Sequence, residues 1–482
     1  MAKLTIDELA NFCKRKGFVY PSGEIYGGGS GFWDFGPVGV EFKNNLKKEW
    51  WKFHVQERED IVGIDGSIIT NPKVWEASGH VGNFVDVAVV CTKCKTKSKV
   101  DKHELATAKC EKCNGKLDSR GEFNPMFTTQ VGPIKEDSKL AYLRPETAQL
   151  IFTNFKLVQD NARLKLPFGI AQIGKSFRNE IAPRNFLFRS REFEQMEIEY
   201  FINPKKKNEC PAKEEVGGIE LQVLSSEMQE NNEESKKITV KEAIQKKIFK
   251  LKWHGYWLAT EISWFVSLGA NPNNFRVRQH TKDEKSHYAT DTWDIEYNFP
   301  FGWKELQGIA DRGTYDLETH EKYSKKDLKI MDDDEKILPM VVAEPSLGVE
   351  RAFLVFLFES YSKNEKENIV LKLHPKLAPT KVAIFPLIKK DAEQVKISRE
   401  LYNLLKKEMN ATYDESGSVG KRYARNDEIG TPFCLTVDSD SQKNKTVTIR
   451  SRDDGKQKII SIDETPRIIQ DLISERIEFK KL

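Results

Sequence analysis

The 482 residues predict an α+β fold: antiparallel strand pairs and helices, followed by a smaller unit in which helix and strand alternate. Three observations carry this prediction. Residues 177–201 read as strand, loop and strand, with Phe193, Gln195, Glu197 and Glu199 on one face of the return strand and Met196, Ile198 and Tyr200 on the other. Residues 287–317 alternate in the same way over much of their length. At 374–387, HPKLAPTKVAIFPL sets three prolines around a fresh aliphatic strand, a boundary that divides the chain into 1–375 and 376–482.

Composition narrows the class. With 39% hydrophobic and 31% charged residues, the chain has enough apolar side chains for a sizeable core and is not of the disordered type. Mean hydropathy is −0.58, and the apolar runs, such as FLVFLF at 353–358, are far short of a membrane span. The start, MAKLTIDELANF, has no apolar stretch of a secretory signal, and seven cysteines, four of them in paired CxxC units, suit a reducing compartment; the expectation is cytoplasmic. Net charge is +4, and residues 376–482, with 21 Lys+Arg against 17 Asp+Glu, hold all of that excess. This suits a phosphate-contacting module.

Element by element, Thr5 and Glu8 form a capping box for a helix that Gly17 stops. PSGEIYGGGSGFWDFGPVG (21–39) is a glycine-rich loop that fits neither a Walker loop nor a dinucleotide fingerprint. A helix from Val40 to about Glu57 follows, with Phe42, Leu46, Trp50 and Phe53 at helical spacing, and then a strand over 60–70. CTKC (Cys91, Cys94) and CEKC (Cys110, Cys113) form two knuckles within 85–120. Their spacing suits a structural Zn²⁺ held by four thiolates in a zinc-ribbon-like insertion. Cys13, Cys210 and Cys434 lie outside these knuckles. In FRNE, Arg178 and Glu180 lie two apart and are expected on one face of a strand. Residues 203–242, rich in Lys, Glu and Asn with little periodicity, read as a charged, flexible surface insertion. Beyond 376, a helix at about 391–410, strands TPFCLTVD and KTVTIRSRD, and a helix from about Thr465 complete the chain.

FRNEIAPR, followed by Arg189 to Phe193 and EIEYF, resembles motif 2 of the class II aminoacyl-tRNA synthetases, in the form found in glycyl-tRNA synthetases. VWEASGHVGNF, FNPMFTTQVGP, YLRPETAQLIFTNF, WDIEY, WKELQGIA and AEPSLGVERAF (with motif 3) are also similar to that family, which covers nearly the whole chain apart from 203–242. Where the family has Gly after RPETAQ, this chain has Leu150, a departure expected to concern helix packing, with the block's chemistry in Arg144 and Glu146.

The resemblance implies a mostly antiparallel catalytic sheet flanked by helices, a C-terminal anticodon-binding domain, and a homodimer joined through the helix at Val40 and the strand after it. By residue packing alone, that helix is an ordinary amphipathic one. For ATP, the resemblance implies Arg178 on the α-phosphate, Glu180 on the adenine amino group, Arg189 on the terminal phosphates, Phe193 stacked on adenine and Arg351 on the γ-phosphate. Asn179, Phe188, Leu306 and Gly348 complete the set, and Glu305 holds Mg²⁺. For glycine it implies Glu146, Phe193, Gln195, Glu197, Glu344 and Ser346. The acids grip the ammonium, unless Glu197 and Glu344 instead pair with arginines as scaffold. The implied reaction joins glycine to tRNA(Gly) through glycyl-adenylate, with Arg178 and Arg351 as the catalytic cations and no nucleophilic side chain. Two other readings share part of the pattern: a prolyl or threonyl synthetase, and a non-catalytic synthetase-like accessory protein that binds nucleic acid.

Overall fold

The computed structural model describes residues 4–100, 105, 107–110, 112–134, 138–211, 213–284 and 289–482. His287 and Tyr288 of the expected strand segment, Ala212 of the 203–242 segment, and residues 101–104, 106 and 111 of the cysteine insertion lie outside the described residues.

A nine-stranded sheet organises the first 375 residues. From one edge to the other its strands are Lys236–Thr239, Glu220–Leu224, Phe275–Gln279, Asp291–Phe299, Gly302–Asp311, Met340–Gly348, Glu192–Ile202, Phe168–Phe177 and Ile61–Ile64. Two contacts are parallel, Glu220–Leu224 with Phe275–Gln279 and Phe168–Phe177 with Ile61–Ile64; the others are antiparallel. The period-2 pattern of Glu192–Ile202 sends Met196, Ile198, Tyr200 and Ile202 into the main core. There they meet Val342 and Leu347 and three helices, Pro37–Trp51, Lys252–Ser267 and Val349–Ser360. The polar face is left open at its centre, while at one end the helix Ala148–Ala162 covers it, packing Phe152 and Phe155 against Phe168 and Phe201.

The first helix, Ile6–Lys16, has the expected Thr5–Glu8 capping box and ends on Gly17 at φ +77°. The second begins at Pro37 and not at Val40: proline suits the first helical position, whose N–H has no intrahelical partner. A side chain at Gly39 would stand 1.8 Å from the Phe18 carbonyl, so glycine permits this close crossing. Phe42, Leu46 and Trp50 are buried in this protein's own core.

Three other expectations are corrected. The strand predicted over 60–70 is two strands in different sheets, Ile61–Ile64 and Ile69–Thr70. Between them the backbone turns to Arg144, whose guanidinium takes the Gly66 carbonyl (2.7 Å) and whose N–H donates to the Ile68 carbonyl. Arg178 and Glu180 are not on a strand. The strand ends at Phe177: the Arg178 amide still reaches the Arg191 carbonyl at 2.9 Å, but that of Asn179 turns away to donate to the Pro125 carbonyl at 2.7 Å. Residues 203–242 are no loose insertion. Leu221 and Val223 alternate into the core, and the two strands of this segment form one edge of the sheet. Local polarity concealed them, since the outermost strand carries Lys236 and Lys237, which suit a solvent-facing edge.

Leu150 is buried, with its Cδ1 2.7 Å from where a Gly66 side chain would begin, in keeping with a packing role. The cysteine segment forms a three-stranded sheet of Lys97–Val100, Asp86–Cys91 and Leu117–Phe123. Beyond Pro375 a separate five-stranded sheet is ordered Ala411–Tyr413, Val382–Pro386, Phe433–Val437, Thr446–Ser451 and Gln457–Ser461. It has its own core around Ile384, Leu401, Leu435 and Ile469. Helices Ala392–Leu405 and Thr465–Ile473 fall where the sequence predicts them, whereas Val419–Ile429 and two short strands were not foreseen. Among the described residues, no helix is long and apolar enough to cross a membrane.

Candidate active site

The open polar face of the sheet is the floor of a cavity of about 270 Å³. Glu192–Ile202 supplies Phe193, Gln195 and Glu197, and the loop before it supplies Arg178, Glu180, Phe188 and Arg189. Glu344, Ser346 and Gly348 come from the neighbouring strand Met340–Gly348, and Glu305, Leu306 and Gly308 from Gly302–Asp311 beyond it. Arg351 projects from the first turn of the helix that follows directly, and Glu146 enters just before Ala148–Ala162. Of the residues expected at the site, Asn179 stands outside the cavity lining, held by its backbone bond to Pro125. Arg144 is also withdrawn: its side chain donates to the carbonyls of Gly66 and Lys175, so it shapes the backbone and does not face a ligand.

One end of the cavity is cationic and aromatic. Arg178 donates from Nε to the Pro145 carbonyl at 3.0 Å and lies 5.5 Å from the centroid of the Phe193 ring. Arg189 Nε meets Glu180 Oε2 at 2.8 Å. Arg351 Nη1 donates to the Glu305 carbonyl at 2.9 Å and lies 3.2 Å from Glu305 Oε1, with its guanidinium 4.6 Å from the Phe188 ring centroid. The nearby guanidinium holds the Glu305 carboxyl below its usual range. Two of the three arginines are thus already paired with cavity carboxylates, and an anionic ligand would exchange one such partner for another. Beneath this end, Lys43 Nζ is 3.0 Å from Glu350 and also pairs with Glu194, tying the second helix to the floor strand and to the Arg351 helix.

The other end is acidic and buried. Glu197 accepts from Ser346 Oγ at 2.6 Å and from Thr147 Oγ1. Gln195 steadies this arrangement, taking the Ser176 hydroxyl (2.7 Å) and facing Ser346 Oγ (3.3 Å). Burial, with Glu146 nearby, raises the Glu197 carboxyl above its usual range. Glu344, equally desolvated, is pushed up to about 8, although Arg312 Nη1 donates to it at 2.7 Å. Glu146 moves the opposite way: His80 Nε2, 3.3 Å away, and the charges of Arg312 and Arg178 outweigh its burial. Glu199 lies behind them and is raised strongly by burial and by Glu344.

Arg312 was not foreseen. It is buried, grips both oxygens of Asp316 (2.7 and 2.8 Å) as well as Glu344, and is the cation that lets these acids share one space. In sequence, a single Arg after a strand gives no such signal. Glu344 therefore takes the scaffold pairing with arginine that the sequence left open, while Glu197 pairs with hydroxyls. His280, just past the strand Phe275–Gln279, and Thr292 and Asp294 on Asp291–Phe299 also line the cavity and were missed, because they lie far from motif 2 in the chain.

Away from the cavity, Cys91, Cys94, Cys110 and Cys113 bring their sulfurs within 4.8 Å of one another, with two pairs at 3.5 Å. Four thiolates about 2.3 Å from one Zn²⁺ lie ~3.8 Å apart, so the set fits a tetrahedral ion with little adjustment. A Cβ at Gly115 would lie 2.9 Å from Cys91 Sγ, so glycine keeps the second knuckle tight. From the same module, Lys99 Nζ bonds Asp86 at 2.6 Å and stands 3.9 Å from Glu180 in the cavity.

Residues 381–472 match the model of the "Anticodon binding domain" family. Over the whole chain, the protein is 42% identical to the glycine–tRNA ligase of Thermobifida fusca, covering 98% of each chain. It is 44% identical to that of Clostridium kluyveri, covering 98% of this chain and 99% of the relative, and 42% identical to that of Treponema denticola, covering 94% of both. Such identity over nearly the full length of both chains, on an antiparallel sheet carrying motifs 2 and 3 around one cavity, means that this protein belongs to the glycine–tRNA ligase family.

Proposed function

We propose that the cavity joins glycine to ATP as glycyl-adenylate, with release of pyrophosphate, and that the glycyl group then passes to the terminal ribose of tRNA(Gly) with release of AMP. The supporting observation is one cavity with three guanidiniums and aromatic rings at one end and three carboxylates at the other. Family membership supports the same reading.

In this proposal Phe193 offers its face to adenine and Glu180 accepts from the purine amino group. Arg178, Arg189 and Arg351 take phosphate oxygens, and the position of Arg351 in the first turn of its helix adds the favourable end of the helix dipole. Glu197, Glu146 and Ser346 receive the ammonium, which turns the glycine carboxylate toward the α-phosphorus. The new bond joins a carboxylate oxygen to that phosphorus, and the bond to the bridging oxygen of pyrophosphate breaks. No side-chain nucleophile is required, because orientation and charge neutralisation supply the rate. Glu305, whose side chain is 54% exposed, offers hard oxygens that would hold Mg²⁺, and the ion would add further neutralisation of the phosphates. A pocket closed beyond Cα excludes larger amino acids by size, which suffices for glycine.

Four further parts belong to the proposal. Residues 376–482 form a domain that binds the anticodon arm, supported by the family match and the basic excess. The four cysteines hold a structural Zn²⁺, supported by their geometry. Two copies associate through the helix–strand unit after residue 37, supported by the family resemblance of that unit. The protein works in the cytoplasm, in keeping with its reduced-type cysteines. ATP–pyrophosphate exchange, run amino acid by amino acid, tests the central claim. Exchange is expected with glycine and not with alanine, proline or threonine. Exchange with another amino acid, or with none, refutes it.

A further inference from the structure

Asp294 lies on the cavity floor, yet the roles above leave it unused. It is buried on Asp291–Phe299, in register with Gly308, which pairs in turn with Ser346, and Ser346 with Glu197. These four residues form one row across the polar face of the sheet. Because Gly308 has no side chain, the floor between Ser346 and Asp294 is open; among the described residues, the sole neighbour that a Cβ there would meet within 4 Å is Asp294 Oδ1, at 3.8 Å. The other carboxylate oxygen, Oδ2, is fixed by His280 Nε2 at 2.8 Å. One oxygen is therefore anchored, while Oδ1, with no hydrogen-bond partner among the described residues, looks over the glycine lane.

We infer that Asp294 is a catalytic residue of the second half-reaction: it takes the proton of the accepting ribose hydroxyl as glycine is transferred, with His280 as its positioning residue. This rests on the reading under Proposed function. The first half-reaction fills the cation end with nucleotide and the acid end with the ammonium. The tRNA hydroxyl must reach the same carbonyl carbon from a third direction, and the Gly308 lane with Asp294 beyond it provides one. In the step, the ribose oxygen forms a bond to the glycyl carbonyl carbon. The anhydride bond from that carbon to the phosphate oxygen breaks, and its electron pair leaves on AMP. The hydroxyl proton goes to Asp294 Oδ1 and from there to water. A general base of this kind works best when it is ionised but not too weakly basic. Burial and the charge of Glu305 raise Asp294 to about 6 against the opposing pull of His280 and Arg278, which suits the task at neutral pH.

The test separates the half-reactions in the full-length protein, using glycine-dependent ATP–pyrophosphate exchange and single-turnover transfer from preformed enzyme-bound adenylate to saturating tRNA(Gly). In the unmodified protein, transfer should rise with pH through about 6 and then level off. Asp294→Asn should slow transfer by ~100-fold or more and abolish this rise, while exchange falls by less than about threefold. His280→Ala should move the rise to higher pH, because the hydrogen bond that favours the ionised carboxylate is lost; this second variant also decides the matter if the first fails to fold. Equal loss of exchange and transfer, transfer unchanged at saturating tRNA, or an increased Mg²⁺ requirement for exchange would each overturn the inference. Failure of the unmodified protein to exchange with glycine would instead refute the underlying reading.

Discussion

Replacing Glu197 with glutamine removes one charge from the acidic end while keeping the side chain's shape. Glu197 is 1% exposed and stands in register between Gln172 and Ser346, with one oxygen accepting from Ser346 and the other from Thr147. The amide oxygen can keep one of these bonds. The amide NH₂ can donate to the other hydroxyl, which turns to accept, so the floor strand has no reason to unfold. What disappears is a charge-assisted bond to the glycine ammonium. Such bonds contribute about 1.5–3 kcal/mol, or ~10- to 150-fold in binding. In the exchange assay, the glycine concentration for half-maximal rate should rise within that range. The ATP requirement should barely change, because the guanidiniums lie at the other end of the cavity. Unchanged glycine dependence would remove Glu197 from the pocket. Equal weakening of glycine and ATP would show that the substitution acts through the fold.

Glycine binding should strengthen with pH, since its ammonium requires carboxylates while Glu197 is raised and Glu344 is pushed up to about 8; the thermal shift produced by glycine should be larger at pH 8 than at pH 6, and a flat profile would refute this. Purified protein should contain one zinc per chain, and Cys91→Ser should lower it and expose the remaining thiols to titration; because Lys99 of the same module stands 3.9 Å from Glu180, the variant should raise the ATP requirement by no more than a few-fold. Ending the chain at Pro375 should leave glycine-dependent exchange measurable and sharply reduce tRNA charging. The cut also removes contacts such as Arg452 Nη2 to the Leu373 carbonyl (2.8 Å), so a lower melting temperature should accompany it, while equal loss of both activities would count against the proposed division of labour.

What the sequence determined by itself was whatever depends on near neighbours in the chain. The alternation of Phe193, Gln195, Glu197 and Glu199 with Met196, Ile198 and Tyr200 assigns each side chain to a face without reference to any other strand, because the pleat has a period of two. The capping box at Thr5, the paired CxxC knuckles and the proline-marked start of the last sheet are local in the same sense. Family motifs reached further, marking Glu146, Glu305, Glu344 and Arg351, all of which line the cavity. The tertiary structure decided how charge is shared between distant segments. Whether Glu344 faces a ligand or an arginine depends on Arg312, and Arg312 is held by Asp316 from the next helix. The ordered edge formed by 203–242 exists because Val223 finds Val277, and Asp294 opens on the glycine lane because Gly308 lies between it and Ser346. Burial, and the electrostatics that follow from it, arise from the packing of elements far apart in the chain, and local pattern carries no record of which partner a buried charge will meet.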